Sequence, residues 1–427
     1  MSVQTELQRI IQAKADIIDS IEAKGVTVPS GTTIDNLDDY VDQIQQGGGN
    51  EWTANECFWA ENVDTISQYF SITDCNKFNI WYQIVNSGSQ PSDENWAKLN
   101  NIQYWYTPGQ RVYFYGNNLG GLFNTIYTTP TSKTEYYCKF QSTPKCKIGG
   151  NLISLISKNK LSYTPNNAFR QLFMNANIIN IDELIFPEYA SLMCYYQTFQ
   201  GTQITSLNCD ILPKNIDKYS YQYMFSGCKS LTTITGQLST NTELYSYSSM
   251  FLNCTALTTV PSNLLPATTL TAQYCYHQMF YGCTSLTNVP NLPATTLSIG
   301  CYQSMFYGCT SLTTVSSNLL PVTNLQSYCY QNMFWGCTSL TTAPVLPATN
   351  LAYNCYGNMF NGCTSLNYVK AMFTTDISSS TSYTNYWLNN VAATGTFVKN
   401  ANATWSRTDA TGIPSGWTVE TETPAAA

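Results

Sequence analysis

The chain has 427 residues, of which 43% are hydrophobic, 14% aromatic and only 11% charged. This composition is typical of an ordered protein, and the length predicts two to four structural units in place of a single core. The net charge is −7 and Lys and Arg are not clustered, so nucleic-acid binding is not expected. No run of 18 apolar residues occurs, and membrane insertion is therefore not predicted either.

Residues 1–49 predict two short amphipathic helices that serve as an N-terminal segment for anchoring and oligomerisation. Gly25 supplies a stop signal for the first helix, and Thr32 with Asp35 supplies a capping box for the second. Because helices this short are unstable alone in water, we expect them to pack on a partner or on copies of themselves. The alternative is that both dock on their own chain. The apolar residues predicted on the packing faces are Leu7, Ile10, Ile11, Ile17, Ile18, Ile21, Ile34, Leu37, Val41 and Ile44.

Residues 50–150 predict a β-rich module. Two runs of β-branched and aromatic residues, 78–85 and 111–115, are separated by clusters of Asn, Gly, Pro and Ser. A small β-sandwich is the expected result.

Residues 151–373 repeat with a nearly fixed period. A Met-Phe pair marks each copy, with Leu-Phe and Thr-Phe in the first two, and successive markers are 26, 26, 26, 29, 26, 28 and 26 residues apart. The pairs begin at Leu172, Thr198, Met224, Met250, Met279, Met305, Met333 and Met359. A period in the twenties with recurring Leu, Phe and Cys predicts a leucine-rich solenoid, whose units must stack to bury their apolar faces.

Within one copy, the four-residue spacing of Cys301, Met305 and Cys309 predicts a short helix, and the run 312–315 predicts a strand. The fold class expected for the whole chain is therefore α+β. Residues 374–427 place Trp387, Phe397, Trp405 and Trp417 among Gly and Thr, which predicts a C-terminal cap on the last unit of the stack.

The repeats contain most of the 16 cysteines, in two sets at fixed positions before and after the marker. One interpretation is that they are small buried thiols in two columns. The other is a ladder of disulfides, since stacked units lie within the reach of a disulfide.

Groups for catalysis are scarce. The single histidine, His277, stands where other copies have Gln303, Gln331 and Gly357, which argues against a catalytic triad. The cysteine spacings do not suit zinc, and no phosphate-binding motif occurs. Among the acidic residues, Glu61, Asp64, Asp182, Glu183 and Glu188 are expected to be ordinary surface groups. We therefore expect no enzyme activity, no metal and no cofactor, with glycan hydrolysis as the alternative.

A surface rich in amide, hydroxyl and aromatic groups suits sugars, whose rings stack on Tyr or Trp while their hydroxyls pair with Asn and Gln. Tyr281, Tyr307 and Trp335 occupy the same position in successive copies, and we expect them to form an exposed aromatic line. The alternative is that these rings pack between neighbouring copies. The polar candidates beside them are Gln278, Gln303, Gln331, Asn332 and Asn358.

The recurring MFxGCTSL and LPATTL segments closely resemble the BspA-like leucine-rich repeat family of gut bacteria and their phages. The segments VYFYGNN and GGNLISLI before the repeats, and GTFVKNAN and GIPSGWTV after them, resemble the flanking parts of the same family. The resemblance covers roughly residues 51–420. It implies a right-handed solenoid with a role in surface adhesion and no known catalysis.

The segment AKADIIDSIEAKGVTVPSGTTIDNLDDYVDQI instead resembles the N-terminal part of tailed-phage structural proteins. It also lacks the continuous apolar core of a secretory signal, which predicts synthesis in a cytoplasm. The resemblance implies a virion protein, homotrimeric by analogy with phage fibres, whose N-terminus binds other capsid or tail proteins while the repeats bind a host surface glycan or protein. A bacterial surface adhesin of the BspA type is the alternative.

Overall fold

The computed structural model describes residues 53, 56–73, 78–86, 89–92, 94–100, 103–118, 122–129, 132–157, 164–378 and 382–422, together with 14, 15, 17–19, 28 and 30. Two short 3-10 helices span Leu152–Leu155 and Cys209–Ile211. The strands are β1 (Phe58–Asn62), β2 (Gln68–Thr73), β3 (Ile80–Val85), β4 (Ala97–Lys98), β5 (Tyr104–Tyr106), β6 (Arg111–Gly116), β7 (Phe123–Thr129), β8 (Ser132–Tyr137), β9 (Lys139–Ser142), β10 (Cys146–Asn151), β11 (Ile178–Ile185), β12 (Tyr189–Ala190), β13 (Ser206–Asn208), β14 (Asn215–Ile216), β15 (Thr233–Thr235), β16 (Tyr368–Ala371), β17 (Gly395–Lys399) and β18 (Trp417–Thr421).

The N-terminal segment lies mostly outside the described residues. Of the predicted anchoring residues only Ile17 and Ile18 are described; both are helical, and Ile17 is 42% exposed. The other eight, Leu7, Ile10, Ile11, Ile21, Ile34, Leu37, Val41 and Ile44, lie outside the described residues. No described helix is long and apolar enough to cross a membrane.

The β-rich module consists of a six-stranded sheet in the order β11-β10-β1-β6-β3-β4, a three-stranded sheet in the order β5-β2-β9, and the hairpin β7-β8. Alternate aromatic residues of both larger sheets meet in one core, where the Phe70 ring lies 5.5 Å from that of Phe114 and 6.3 Å from that of Phe140. The module continues into the repeats, because β11, a strand of the first repeat, pairs in parallel with β10.

The repeats form a stack of coils. We number nine coils among the described residues by their marker residues, which are Leu172, Thr198, Met224, Met250, Met279, Met305, Met333, Met359 and Trp387. In coil six, the amides of Tyr302, Ser304, Phe306 and Gly308 each donate to a carbonyl of coil seven. The amides between them donate three residues back within the coil, as that of Met305 does to Tyr302. Every second amide therefore links neighbouring coils.

The segment around each marker is a run of four-residue turns, and the prediction of a short helix there is wrong. Gly300, Ser304 and Gly308 have φ of 62°, 55° and 69°, so a left-handed residue recurs every fourth position and prevents a helix. Each turn closes with a hydrogen bond to the residue three positions back, as in a β-turn. Four-residue spacing of inward side chains results from these turns as readily as from a helix.

Two inward residues alternate with two outward residues along these turns. In coil six, Cys301, Tyr302, Met305 and Phe306 are buried, whereas Gln303 and Tyr307 are partly exposed. Each inward ring stacks on its equivalents. The Phe306 ring lies 5.8 Å from that of Phe280 and 5.6 Å from that of Phe334, nearly parallel to both. Burial of these columns supplies the apolar area that holds successive coils together.

On the opposite side of the stack, the predicted strand at 312–315 is also wrong. The described residues there form no strand, and this side has short parallel pairings such as β13 with β15 and single bridges such as Thr342 with Tyr368. Threonine hydroxyls help to join the coils, since Thr287 Oγ1 donates to the Thr258 carbonyl at 3.0 Å. The described residues are thus mostly β-strand and turn, with very few helical residues.

The described cysteines are all buried free thiols. Six of them, Cys228, Cys254, Cys283, Cys309, Cys337 and Cys363, donate to the carbonyl of the marker Phe in the preceding coil at 2.9–3.3 Å. Each of these carbonyls also accepts an amide of its own coil, so the thiol uses the second lone pair.

Stacking continues beyond coil eight. The amide of Phe360 donates to the Trp387 carbonyl at 2.9 Å, which places Trp387 in the marker column as the ninth coil. The strands β16, β17 and β18 form a parallel sheet behind it. Trp387, Phe397 and Trp405 are at most 1% exposed, and Trp417 is 6% exposed.

Candidate functional site

The outward side chains of the turns form one continuous surface, which we call the turn face. It consists of the residues two and one positions before the marker and two positions after it, at Gln303, Ser304 and Tyr307 in coil six, where Ser304 itself is only 4% exposed. Because coils stack in register, each of these positions makes a column of side chains. The sequence-predicted residues all lie on this face, in coils five to eight.

The predicted aromatic line exists as a column of contacting rings. Tyr281 and Tyr307 are stacked with ring centroids 4.4 Å apart and planes within 6° of parallel. Trp335 follows at 5.3 Å from Tyr307, with its plane tilted by 46°. All three side chains are partly buried. The rings therefore pack on their neighbours in successive coils, and a ring inside such a stack presents its edge to solvent more than its faces.

Trp335 differs from the two tyrosines because its ring extends over coil eight. Its Cδ1 atom lies 3.8 Å from the point where a Cβ would stand on Gly362. Asn361, which follows Trp335 in the same column, is only 8% exposed. The indole thus lies close to coil eight, and its 46° tilt ends the parallel stacking of this column.

The amide side chains beside the aromatic column are linked between coils. Gln303 Nε2 donates to Gln331 Oε1, and Asn332 Nδ2 donates to Ser304 Oγ at 3.2 Å. In the neighbouring coils, Ser249 Oγ donates to Gln278 Oε1 of the next coil at 3.3 Å, and within coil eight Asn361 Nδ2 donates to Asn358 Oδ1 at 3.1 Å. The result is a ladder of uncharged polar groups along the stack.

Backbone conformation explains part of this residue choice. Gln278, Asn332 and Asn358 have φ of 55°, 57° and 51°. Asn is among the non-glycine residues that adopt this left-handed region most readily. Asn332 and Asn358 are therefore favoured by the turn itself, independently of any ligand.

A second aromatic column was missed by the sequence reasoning. It lies five positions before the marker, where Tyr219, Tyr245 and Tyr274 stack with centroids 5.5 and 4.9 Å apart. Gly300 interrupts it, and Tyr274 occupies the space that a Cβ on Gly300 would need, 2.2 Å from its Cε1. Tyr328 resumes the column. The recurrence of Tyr at this position in the sequence was the available signal.

The histidine on this face is neutral. Burial lowers the pKa of His277 to about 4, and its Nδ1 lies 3.2 Å from Ser248 Oγ. The rings of Tyr245 and Tyr274 lie edge-on to it at 6.2 and 5.9 Å. Burial also raises the pKa of Tyr281, aided by the adjacent Tyr307. From residue 244 to residue 366 no Asp, Glu, Lys or Arg occurs, so this part of the turn face carries no charge near pH 7.

The acidic residues considered for catalysis lie apart from the turn face. Glu61 accepts a hydrogen bond from Arg111 Nε at 2.7 Å, and the Arg111 guanidinium lies 3.8 Å over the Trp59 ring. Asp182 accepts from Asn180 Nδ2 at 2.5 Å. Among the described residues, no group of three His, Cys, Asp or Glu could hold a metal ion.

The sequence model of one family, described as BspA type leucine rich repeat region, matches residues 148–271 and 273–405 with six copies. The match covers more than half of the chain and includes coils one to nine. Neither a curated protein nor a solved structure matches the chain.

Proposed function

The chain belongs to the BspA type leucine-rich repeat family, and we propose that it is a non-enzymatic binding protein that attaches to a bacterial surface through the turn face of its repeats. Membership of this family indicates surface adhesion or binding. The finer architecture that we propose is a solenoid of stacked coils carried by a β-sandwich, with a helical anchor at the N-terminus.

One observation carries this proposal: the turn face is long and continuous, it carries no charge from residue 244 to residue 366, and its outward groups there are amides, hydroxyls and aromatic rings. Tyr281, Tyr307 and Trp335 lie next to the linked amides of Gln303 and Gln331. Such groups recognise hydroxyl-rich or peptide surfaces by contact and hydrogen bonding, without ionic attraction. A repeat stack offers this recognition over a broad area.

We further propose that the protein is a structural component of a phage virion. The resemblance of residues 1–49 to tailed-phage proteins supports this proposal, as does the apolar stripe of that segment, which needs a partner. Self-association as a trimer is part of the same hypothesis. Light scattering on the intact chain tests it, and a monomer at all concentrations would count against it.

A bacterial surface adhesin is the second candidate, because the same family membership fits it equally well. Cleavage of a surface glycan is a third and weaker one. The acidic residues Glu61 and Asp182 are engaged with Arg111 and Asn180, in positions remote from the turn face.

The experiment that tests the proposal combines cell binding with localisation. Fluorescently labelled protein is incubated with a panel of gut bacteria, and gold-labelled antibody locates the protein on phage particles and on cells. We expect binding to some strains, label on particles and no release of reducing sugar. Label confined to the surface of producing bacteria would favour the adhesin, and release of reducing sugar would favour the hydrolase. Failure to bind any strain would argue against both adhesion proposals.

A further inference from the structure

The turn face of coils seven and eight carries aromatic rings on both sides of a strip of amides. In coil seven, Tyr328, Gln331, Asn332 and Trp335 occupy outward positions in that order along the chain. Tyr353, just before coil eight, is 55% exposed and lies edge-on to Tyr328 at 5.4 Å and 83°. This arrangement differs from that of coils three to five, where the rings of Tyr219, Tyr245 and Tyr274 lie parallel in a continuous stack.

The ring orientations decide where a ligand can stack. Tyr307 has a parallel neighbour at 4.4 Å on one side and Trp335 on the other, so both of its faces are occupied. Trp335 is the last ring of its column, and its 46° tilt lays it over Asn361 and Gly362. The Trp335 side chain is only partly buried, so part of its ring is open to a ligand. The negative face of an indole attracts the slightly positive C–H groups of a sugar ring.

The amides next to Trp335 retain hydrogen-bonding capacity. Gln331 Oε1 accepts from Gln303, and Gln331 Nε2 makes no hydrogen bond to another described residue. Asn332 Nδ2 donates to Ser304 Oγ, whereas Asn332 Oδ1 is buried and has no donor among the described residues. Because Asn332 Oδ1 is shielded from solvent, Gln331 Nε2 is the amide group here that a ligand hydroxyl can reach.

The absence of charge defines the ligand class. No Asp, Glu, Lys or Arg occurs between positions 244 and 366, and His277 is neutral. Anionic polysaccharides and nucleic acids draw most of their affinity from Lys and Arg, and this surface offers neither. The groups that it does offer fit a molecule with hydroxyls on its rim and C–H groups on its face.

We propose that coils seven and eight bind a neutral saccharide. One pyranose ring lies on the exposed part of the Trp335 ring, and its hydroxyls bond to the carboxamide of Gln331. Tyr328 and Tyr353 bound the site on its other side and contact the next sugar of the chain. Tyr281 and Tyr307 act as the support that holds the indole in its tilted position. This proposal rests on the proposed binding function and specifies its ligand.

Calorimetry with the full chain tests it. The probes are uncharged linear oligosaccharides of glucose, mannose, galactose and N-acetylglucosamine, and an oligouronate serves as the anionic comparison. We expect one of the uncharged series to bind with an affinity that does not change from low to high salt. Trp335→Ala should weaken this binding about tenfold or more, Gln331→Ala several-fold, and Trp335→Phe less than Trp335→Ala.

Thr314→Ala is the control, because Thr314 is exposed on the opposite side of the stack, outside the proposed site. It should bind like the wild type. If Trp335→Ala lowers the melting temperature, the comparison of Gln331→Ala with Trp335→Phe still decides the outcome.

Wild-type affinity in Trp335→Ala, or binding of the oligouronate alone, would overturn the proposal. Attachment to cells without binding to any uncharged oligosaccharide would also overturn it and would leave the binding function intact. Loss of both would remove the binding function as well.

Discussion

The Cys309 thiol donates a hydrogen bond to the Phe280 carbonyl of the preceding coil, with Sγ and O 3.3 Å apart. The same carbonyl accepts the amide of Cys283 at 3.2 Å. The thiol therefore links two coils and satisfies a buried lone pair. Thr202 replaces Cys in this column in coil two, where its hydroxyl donates to the Phe199 carbonyl of its own coil at 2.9 Å.

A comparison of Cys309→Thr with Cys309→Val tests this role. The two substituents have nearly the same shape, but only Thr can donate to a buried carbonyl. We expect Cys309→Val to be the less stable variant by about 1 kcal/mol, the usual net value of a buried hydrogen bond. Urea unfolding of both variants measures the difference. Equal stability, or a more stable Val variant, would show that the column needs only an apolar group of this size.

The thiols should be unreactive in the folded protein. Burial raises the pKa of Cys283 and of Cys363 to about 12. Because the thiolate is the reactive form, very little of either would exist at pH 8 even if the reagent could reach it. We expect a coloured thiol reagent to label these residues only after unfolding in denaturant without reductant. A shortfall of free thiols in the unfolded chain would instead indicate disulfides.

The glycine column after the marker should tolerate Asn better than Ala. Gly308 has φ +69°, and a Cβ there would lie 3.9 Å from Gly282 Cα, an ordinary contact. The cost of a substitution is therefore backbone strain, about 1–2 kcal/mol for an L-residue in this region. Asn253 holds the equivalent position in coil four with φ 58°. We expect Gly308→Ala to lose about that amount in urea unfolding and Gly308→Asn clearly less. The opposite order would contradict the strain argument.

His277 should make the stability fall as the pH drops from about 6.5 toward 4. Burial lowers its folded pKa to about 4, below the unfolded value near 6.5. The unfolded chain then binds the proton first, so stability is present above the unfolded pKa and is lost through this window. We expect a loss on the order of 2–3 kcal/mol between pH 7 and pH 4.5 from this residue.

His277→Gln provides the control for this pH dependence, because Gln303 and Gln331 stand at the same position in coils six and seven. Urea unfolding of both proteins at the two pH values separates the histidine from the carboxylates, whose contribution is common to both. If the wild type and the variant lose the same stability, the histidine does not titrate as its burial requires.

The leucine-rich repeats could be predicted because their marker residues recur at nearly fixed distances along the chain. Met305, Phe306 and Cys309 recur at fixed distances and are all buried in columns. The BspA-like assignment is confirmed by the family match. The turn conformation was not predicted, since side chains four apart are brought together by a helix and by four-residue turns alike. The distinguishing signal was the glycine three residues after the marker, at Gly282, Gly308 and Gly336. Glycine adopts a left-handed backbone readily, and its recurrence at this position indicates a turn.

The composition of the turn face could be predicted from the sequence, but the orientation of its aromatic rings could not. Tyr281, Tyr307 and Trp335 were placed in one line by their spacing alone, and they lie in one line. Whether a ring shows its face or its edge depends on the size of the next residue in the column. That residue is Tyr307 after Tyr281 but Asn361 after Trp335, and the effect of such a difference appears only when the coils are stacked. The contribution of these residues to binding remains a prediction.

The most direct test of the central claim compares a partly exposed residue with an exposed residue on the opposite side of the stack. Trp335→Ala alters the turn face, and Thr314→Ala alters the other side. Labelled proteins with unchanged melting temperatures are measured by flow cytometry on a strain that the wild type binds. Binding through the turn face predicts that Trp335→Ala loses most of the cell-bound signal and that Thr314→Ala keeps it. Full binding by Trp335→Ala, or loss of binding only in Thr314→Ala, would contradict it.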